Sequence, residues 1–269
     1  MSKMNNFIIL ILITFVASTS VSYAEITTWE FRTGSSNYDV ENSGYKFGNL
    51  LSIDSNNDGT PELTIQAWSD TGCGWNCGSD SELGRGYAST NGSGLLNYNL
   101  DSSSGSVTGE EHVIDNQDGD TDMMLFTFTE STALTGIDIG WFSSDSDVSI
   151  VAFNTLPTLQ GNNWSNIASQ SIYSASFSNL GTAPYTLVNE ISNVVVEAKY
   201  WLIGAYSSIF GDSGNHDNRS DKFKIASITT ETTKVIPPDP DVTEVAEPST
   251  IAVFASFGLF LMWRRKKTL

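Results

Sequence analysis

Between Met123 and Phe153 apolar and polar residues alternate at a period of two, and few windows elsewhere sustain a helical period. Leu134-Thr135-Gly136-Ile137-Asp138-Ile139-Gly140-Trp141 puts Ile137, Ile139 and Trp141 on one face of a strand, because successive strand side chains point to opposite sides. Met124, Phe126 and Phe128 share a face in the preceding stretch, with Leu125, Thr127 and Thr129 opposite. Asp147 to Phe153 is a third strand, entered through a turn at Ser144-Asp145-Ser146. Thr28 to Arg32, Glu62 to Trp68, Ser169 to Phe177, Val194 to Tyr206 and Lys222 to Thr230 read as flanking strands. The Val194 segment is β-branched and aromatic, a strand pair or one bent strand, with a short helix around Glu197 to Trp201 as the alternative. Strands at this spacing predict an all-β chain, a jelly-roll-like β-sandwich that hides its edges by folding two sheets face to face.

The two ends carry a different grammar. Lys3, the apolar run Phe7 to Val16 and the small-residue site Ser22-Tyr23-Ala24 predict a secretory signal peptide over residues 1–24. A β-sandwich domain over 25–232 follows, then a linker over 233–246 whose Pro237-Pro238-Asp239-Pro240 favours an extended spacer. Residues 247–269 carry Glu247-Pro248-Ser249-Thr250, an uncharged and mainly apolar run from Ile251 to Trp263, and the basic block Arg264-Arg265-Lys266-Lys267. Ser249 or Thr250 is placed to cap a helix. As a helix the run rises only about 20 Å against a hydrocarbon core of roughly 30 Å, and the Arg and Lys stems snorkel to make up part of the difference. The basic block keeps that end on the cytoplasmic side.

This tripartite tail resembles the PEP-CTERM sorting signal of exosortase substrates in Gram-negative bacteria. Glu247, Pro248, Ser249 and Thr250 match its motif, and Ala246 stands where the family has its first Pro. A second resemblance lies in the middle of the chain: His112-Val113-Ile114-Asp115-Asn116, the Asp118 to Asp122 turn, Leu125-Phe126-Thr127-Phe128, and Gly140-Trp141-Phe142 with Asp145-Ser146-Asp147. These look like a family of exosortase-dependent surface proteins of marine bacteria. The resemblances imply export across the inner membrane and anchoring by a single C-terminal transmembrane helix. Processing by an exosortase would then deliver the protein to the cell surface or extracellular matrix of a Gram-negative bacterium.

All 31 acidic residues lie between Glu25 and Glu247, against eight basic ones there, so the expected exported body carries a net charge of −23. Such a surface repels phosphate backbones and argues against a nucleic-acid partner. It suits divalent cations, and equally plain solvation at high ionic strength.

Asp54-Ser55-Asn56-Asn57-Asp58-Gly59-Thr60-Pro61-Glu62 spaces oxygen ligands as a Ca²⁺ loop does, with Gly59 at the sharp turn. Asp54, Asn56, Asp58 and Glu62 are the expected ligands; Ile65 stands where an EF-hand has its bidentate Glu. The plain alternative is an Asn/Asp/Gly turn before a strand. Asp115 to Asp122 is a second acidic turn, read as solvated, with a cation gathering some of its carboxylates as the alternative. The chain's only cysteines, Cys73 and Cys77, sit among glycines, and an oxidising destination favours a disulfide between them over free thiols.

His216 falls in a polar loop, and no G-x-S-x-G, H-E-x-x-H or P-loop occurs. Most of the tryptophans read as core, while Trp75 and Trp164, in Gly/Asn-rich surroundings, are candidates for stacking on sugar rings. The expectation is a non-enzymatic cell-surface protein associated with the envelope or exopolysaccharide matrix, with no certain cofactor beyond candidate Ca²⁺. The alternative is a secreted carbohydrate-binding or polysaccharide-active protein on the same scaffold.

Overall fold

The structure, a computed structural model, describes residues 21–32, 39–42, 50–70, 82–98, 112–117, 120–186, 195–211 and 221–236. The sorting segment, Cys73, Cys77, Trp75 and His216 lie outside them, as does the signal peptide up to Ser20. The chain divides into two compact units, Ala24–Thr233 and one drawn from residues 1–23 and 234–269. Among the described residues, no helix is long and apolar enough to cross a membrane.

The protein is all-β. Its strands are β1 (Val21–Glu30), β2 (Asp39–Asn42), β3 (Leu51–Asp54), β4 (Leu63–Ser69), β5 (Gly84–Arg85), β6 (Tyr87–Asn91) and β7 (Gly94–Tyr98). They continue with β8 (Ile114–Asp115), β9 (Asp122–Phe142), β10 (Val148–Phe153), β11 (Tyr173–Phe177), β12 (Tyr185–Thr186), β13 (Glu197–Ala205) and β14 (Lys222–Ile236). One short helix, α1 (Trp164–Ala168), is capped by the Asn163 side chain, which accepts the Asn166 N–H.

All the strands join one hydrogen-bonded sheet, and β9 organises it. The two alternating stretches around Met124 and Ile137 are one 21-residue strand. From Asp122 to Phe128 one edge of β9 pairs with β4, in a register that sets Phe126 opposite Ile65. Its other edge pairs with β13, Phe126 opposite Trp201. Beyond the exposed residues Thr129 to Ser131 β14 replaces β4, pairing with β9 from Ala133 to Phe142, while β13 holds the other edge as far as Ala133 and Tyr185 of β12 then pairs with Ile137. A single strand thereby belongs to both halves of a sheet folded on itself.

The fold encloses one main core. Trp29 of β1 meets Phe128 with ring centroids 5.8 Å apart, and Phe31 meets Phe126 at 5.9 Å, so β1, which pairs with β14, packs against the opposite half. Leu63, Ile65, Ile137, Ile139, Ile150, Trp201, Ile203, Phe223 and Ile225 fill the space between. The opposite face of the first half is buried as well. Met123, Leu125, Val151, Phe153 and Leu202 lie beneath Leu159, α1 and the short turn Ser208–Phe210.

Of the readings offered for Val194 to Tyr206, the single strand holds: the described residues 195–206 contain one strand, β13, whose register slips between Ala198 and Tyr200, and neither a strand pair nor a helix. Two other expectations are corrected. Trp164 is no sugar platform, because α1 turns it inward against Phe210 and leaves it 0% exposed. Trp141 does not continue the Ile137–Ile139 face. Gly140 is an extra residue on β9, Lys224 pairing with Trp141 and Ile225 with Ile139; this bulge breaks the alternation and leaves the indole 39% exposed.

Candidate functional site

The β3–β4 connection holds the first acidic cluster. Carboxylate oxygens of Asp54, Asp58 and Glu62 lie within 4.8 Å of one another. The loop closes because Asp54 Oδ2 accepts the Gly59 N–H at 2.7 Å and Asn56 Oδ1 accepts the Asp58 N–H at 2.8 Å. Glu62 Oε2 accepts the Ser55 N–H at 2.7 Å. Asn57 and Gly59 take positive φ of 57° and 86°, the left-handed geometry that Asn and Gly tolerate best. Three of the four expected ligands thus converge, while the Asn56 amide oxygen is turned to the backbone. Ile65 is fully buried opposite Phe126, which is why the twelfth position of a helical Ca²⁺ loop has no counterpart.

A second cluster unites residues far apart in sequence. Asp145, Asp147 and Asp221 also bring carboxylate oxygens within 4.8 Å of one another, and Asp147 and Asp221 are buried. Ser144, with φ of 69°, makes the turn that presents Asp145 beside Asp221. Asp221 Oδ1 accepts the Asp147 N–H at 2.7 Å, and its Oδ2 accepts from the Asn116 amide, which also donates to the Tyr206 carbonyl at 3.0 Å. Asp147 Oδ1 accepts the Asn179 N–H at 2.8 Å. Burial raises the Asp221 carboxyl from an ordinary 3.8 to about 8, and the charges of Asp147 and Asp145 push the same way against its hydrogen bonds. With its carboxyl raised in this way, Asp221 keeps its proton at neutral pH, and a cation among the three carboxylates would favour the charged form instead. The oxygen-only donor set suits a hard cation such as Ca²⁺.

The turn after β8 is not simply solvated. Asp122 opens β9 opposite Ser69 and is buried, and its carboxyl is raised by that burial and then by the charge of Asp115, with smaller contributions from Asp120 and Asp70. Asp70, buried at the end of β4, accepts the Thr121 N–H and ties the turn down.

Basic and aromatic groups gather elsewhere. A cleft of about 460 Å³ lies where the end of β6, the start of β14 and the end of β9 meet, lined by Asn91, Thr90, His112, Trp141, Lys222 and Lys224 among others. Phe223 and Ile225 point into the core, so Lys222 and Lys224 share the outer face of β14. The Lys224 ammonium lies 5.4 Å from the centroid of the Trp141 ring. Gly140 allows the β6–β7 hairpin to seat here, because a Cβ at that position would collide with the Ser93 carbonyl. His112 stacks on Tyr98 at 5.3 Å.

Only the Asp54–Glu62 cluster was legible beforehand, since its ligands fall within one loop. Asp221 lies 74 residues from Asp147 and carries no local signature. The cleft had one visible sign, the lysines two apart on a strand. No family model, curated protein or solved structure matches this chain.

Proposed function

We propose that the chain is an exported, non-enzymatic cell-surface protein with a jelly-roll-like β-sandwich body. In this reading residues 1–24 are its signal peptide and Ile251 to Trp263 its single membrane helix. An exosortase recognises Glu247-Pro248-Ser249-Thr250, and the processed protein stays at the envelope or in the exopolysaccharide matrix. The observation that carries the reading is the order of the tail: motif, apolar run, and Arg264 to Lys267 at the end. Two structural facts agree with it. The compact β unit spans Ala24–Thr233, ahead of the Pro-rich spacer. Ser22, Tyr23 and Ala24 are exposed on β1, and Trp29 is the first side chain of that strand described as buried.

The test is expression of the full chain in a Gram-negative host with and without an exosortase, followed by intact-mass analysis of each fraction. The expected mature form has lost residues 1–24 and the basic tail only where the enzyme is present. Pro248→Ala should accumulate as membrane-bound precursor. A surface form still ending at Leu269 in the exosortase-positive host would overturn the proposal.

A further inference from the structure

The cleft around Trp141 sets a cationic, aromatic surface on a strongly acidic chain. Lys222 and Lys224 are two of only eight basic residues between Glu25 and Glu247, yet they stand two positions apart on one face of β14 and line one cleft. No carboxylate lines it among the described residues, and the nearest in register is Asp115, opposite Lys222 in the β8–β14 pairing. Trp141 is directly opposite Lys224 in the β9–β14 register, so indole and ammonium share a face. Hydroxyl and amide groups of Thr90, Asn91 and Ser143 also line it, beside His112.

A large exposed aromatic ring among convergent polar groups is the arrangement that recognises a ligand with one apolar face and a polar rim. A pyranose ring has that form: its axial C–H groups pack on an indole and its hydroxyls bond outward. The two ammonium groups add a preference for an anion. Lys224 is partly desolvated, which draws its pKa down, and a bound carboxylate would restore what that burial removes. The surrounding acidic surface limits how much charge the ligand can carry. A polyphosphate meets repulsion along its whole length, whereas a chain with one carboxylate per ring meets less, and salt confines that repulsion to about 10 Å or under.

We propose that this cleft binds an acidic polysaccharide, with Trp141 carrying a uronate ring and Lys224 taking its carboxylate. The proposal deepens the matrix-retention reading above and rests on it only for where the glycan is met. Binding is read on purified protein and export on cells, so the two fail separately.

The experiment titrates the full chain with short oligomers of galacturonic, glucuronic and mannuronic acid, with neutral cello- and galacto-oligomers, and with inorganic polyphosphate, by calorimetry. At least one uronate oligomer should bind, and the neutral oligomers and polyphosphate at least tenfold more weakly. Trp141→Ala and Lys224→Gln should each weaken uronate binding at least tenfold, and Lys199→Gln, on β13, should leave it unchanged. Raising salt should weaken binding to the parent chain more steeply than to Lys224→Gln. Trp141 lies on the outer face, so its truncation leaves the core filled, and circular dichroism of each variant verifies this. Absence of binding to every uronate, equal binding of neutral oligomers or polyphosphate, or undiminished binding by well-folded Trp141→Ala and Lys224→Gln would each overturn the proposal.

Discussion

Asp221 ties two distant segments to its own: its side chain accepts from the Asp147 backbone and the Asn116 amide, and its backbone bridges to Asp145 in the same turn as Asp147. Its folded pKa of about 8 lies above the unfolded aspartate value, so between roughly pH 4 and pH 8 the folded chain holds a proton that the unfolded chain has released. Stability without a cation therefore falls as pH rises through that window, and buried Asp122, raised in the same direction, adds to the fall. Thermal melts in EDTA should show a lower melting temperature at pH 8 than at pH 5. Asp221→Asn removes one of the titrating groups, so the drop between the two pH values should shrink. Its absolute stability should fall, because the new amide has one oxygen for the two donors that Asp221 satisfies. An unchanged pH slope in that variant would refute the assignment. Trp141 and Trp164 show the limit of reading single residues. One extra residue at Gly140 turns one indole out, and a five-residue helix turns the other in.

At the scale of elements, the β3–β4 loop was the most legible feature because its side chains bond to its own backbone. If it holds Ca²⁺, the ion stabilises the folded chain by about 2.7 kcal/mol at a hundredfold excess over the dissociation constant. With three carboxylates and no twelfth ligand, an affinity on the order of 10⁻⁴–10⁻³ M is expected. Asp58 is exposed, so Asp58→Ala should abolish the part of the calcium-induced shift due to this loop and barely alter the melt in EDTA. Melts of the parent chain that coincide in EDTA and in about 10 mM calcium would reject the site. The β6–β7 hairpin escaped the strand assignment although Asn91-Gly92-Ser93-Gly94 is a turn signal, with Asn91 Oδ1 accepting the Ser93 N–H at 2.9 Å. Its second strand, β7, buries residues on both faces, so it lacks the polar alternation that marked β9.

Across the whole molecule, β9 makes the two halves of the sheet a single folding unit. Phe126 is fully buried among residues from both halves, and Phe126→Ala should cost about 3–5 kcal/mol through lost burial and the cavity left behind. The loss should lower one transition rather than detach one half. Far-UV circular dichroism and tryptophan fluorescence should give coincident unfolding curves before and after the substitution. Separate midpoints for the two probes would show that the halves unfold independently.

Alternation along Met124 to Phe128 and Leu134 to Ile139 determined by itself that this chain is all-β and which side chains enter its core, because strand geometry converts a period of two into two faces. The loop at Asp54–Glu62 was equally local. What only the tertiary structure decided was partnership: that β9 serves both halves, that Asp145, Asp147 and Asp221 meet, and that Trp141 stands beside Lys222 and Lys224. Those neighbours are chosen by register, by a bulge and by the packing of distant strands, none of which leaves a pattern in any one stretch of sequence.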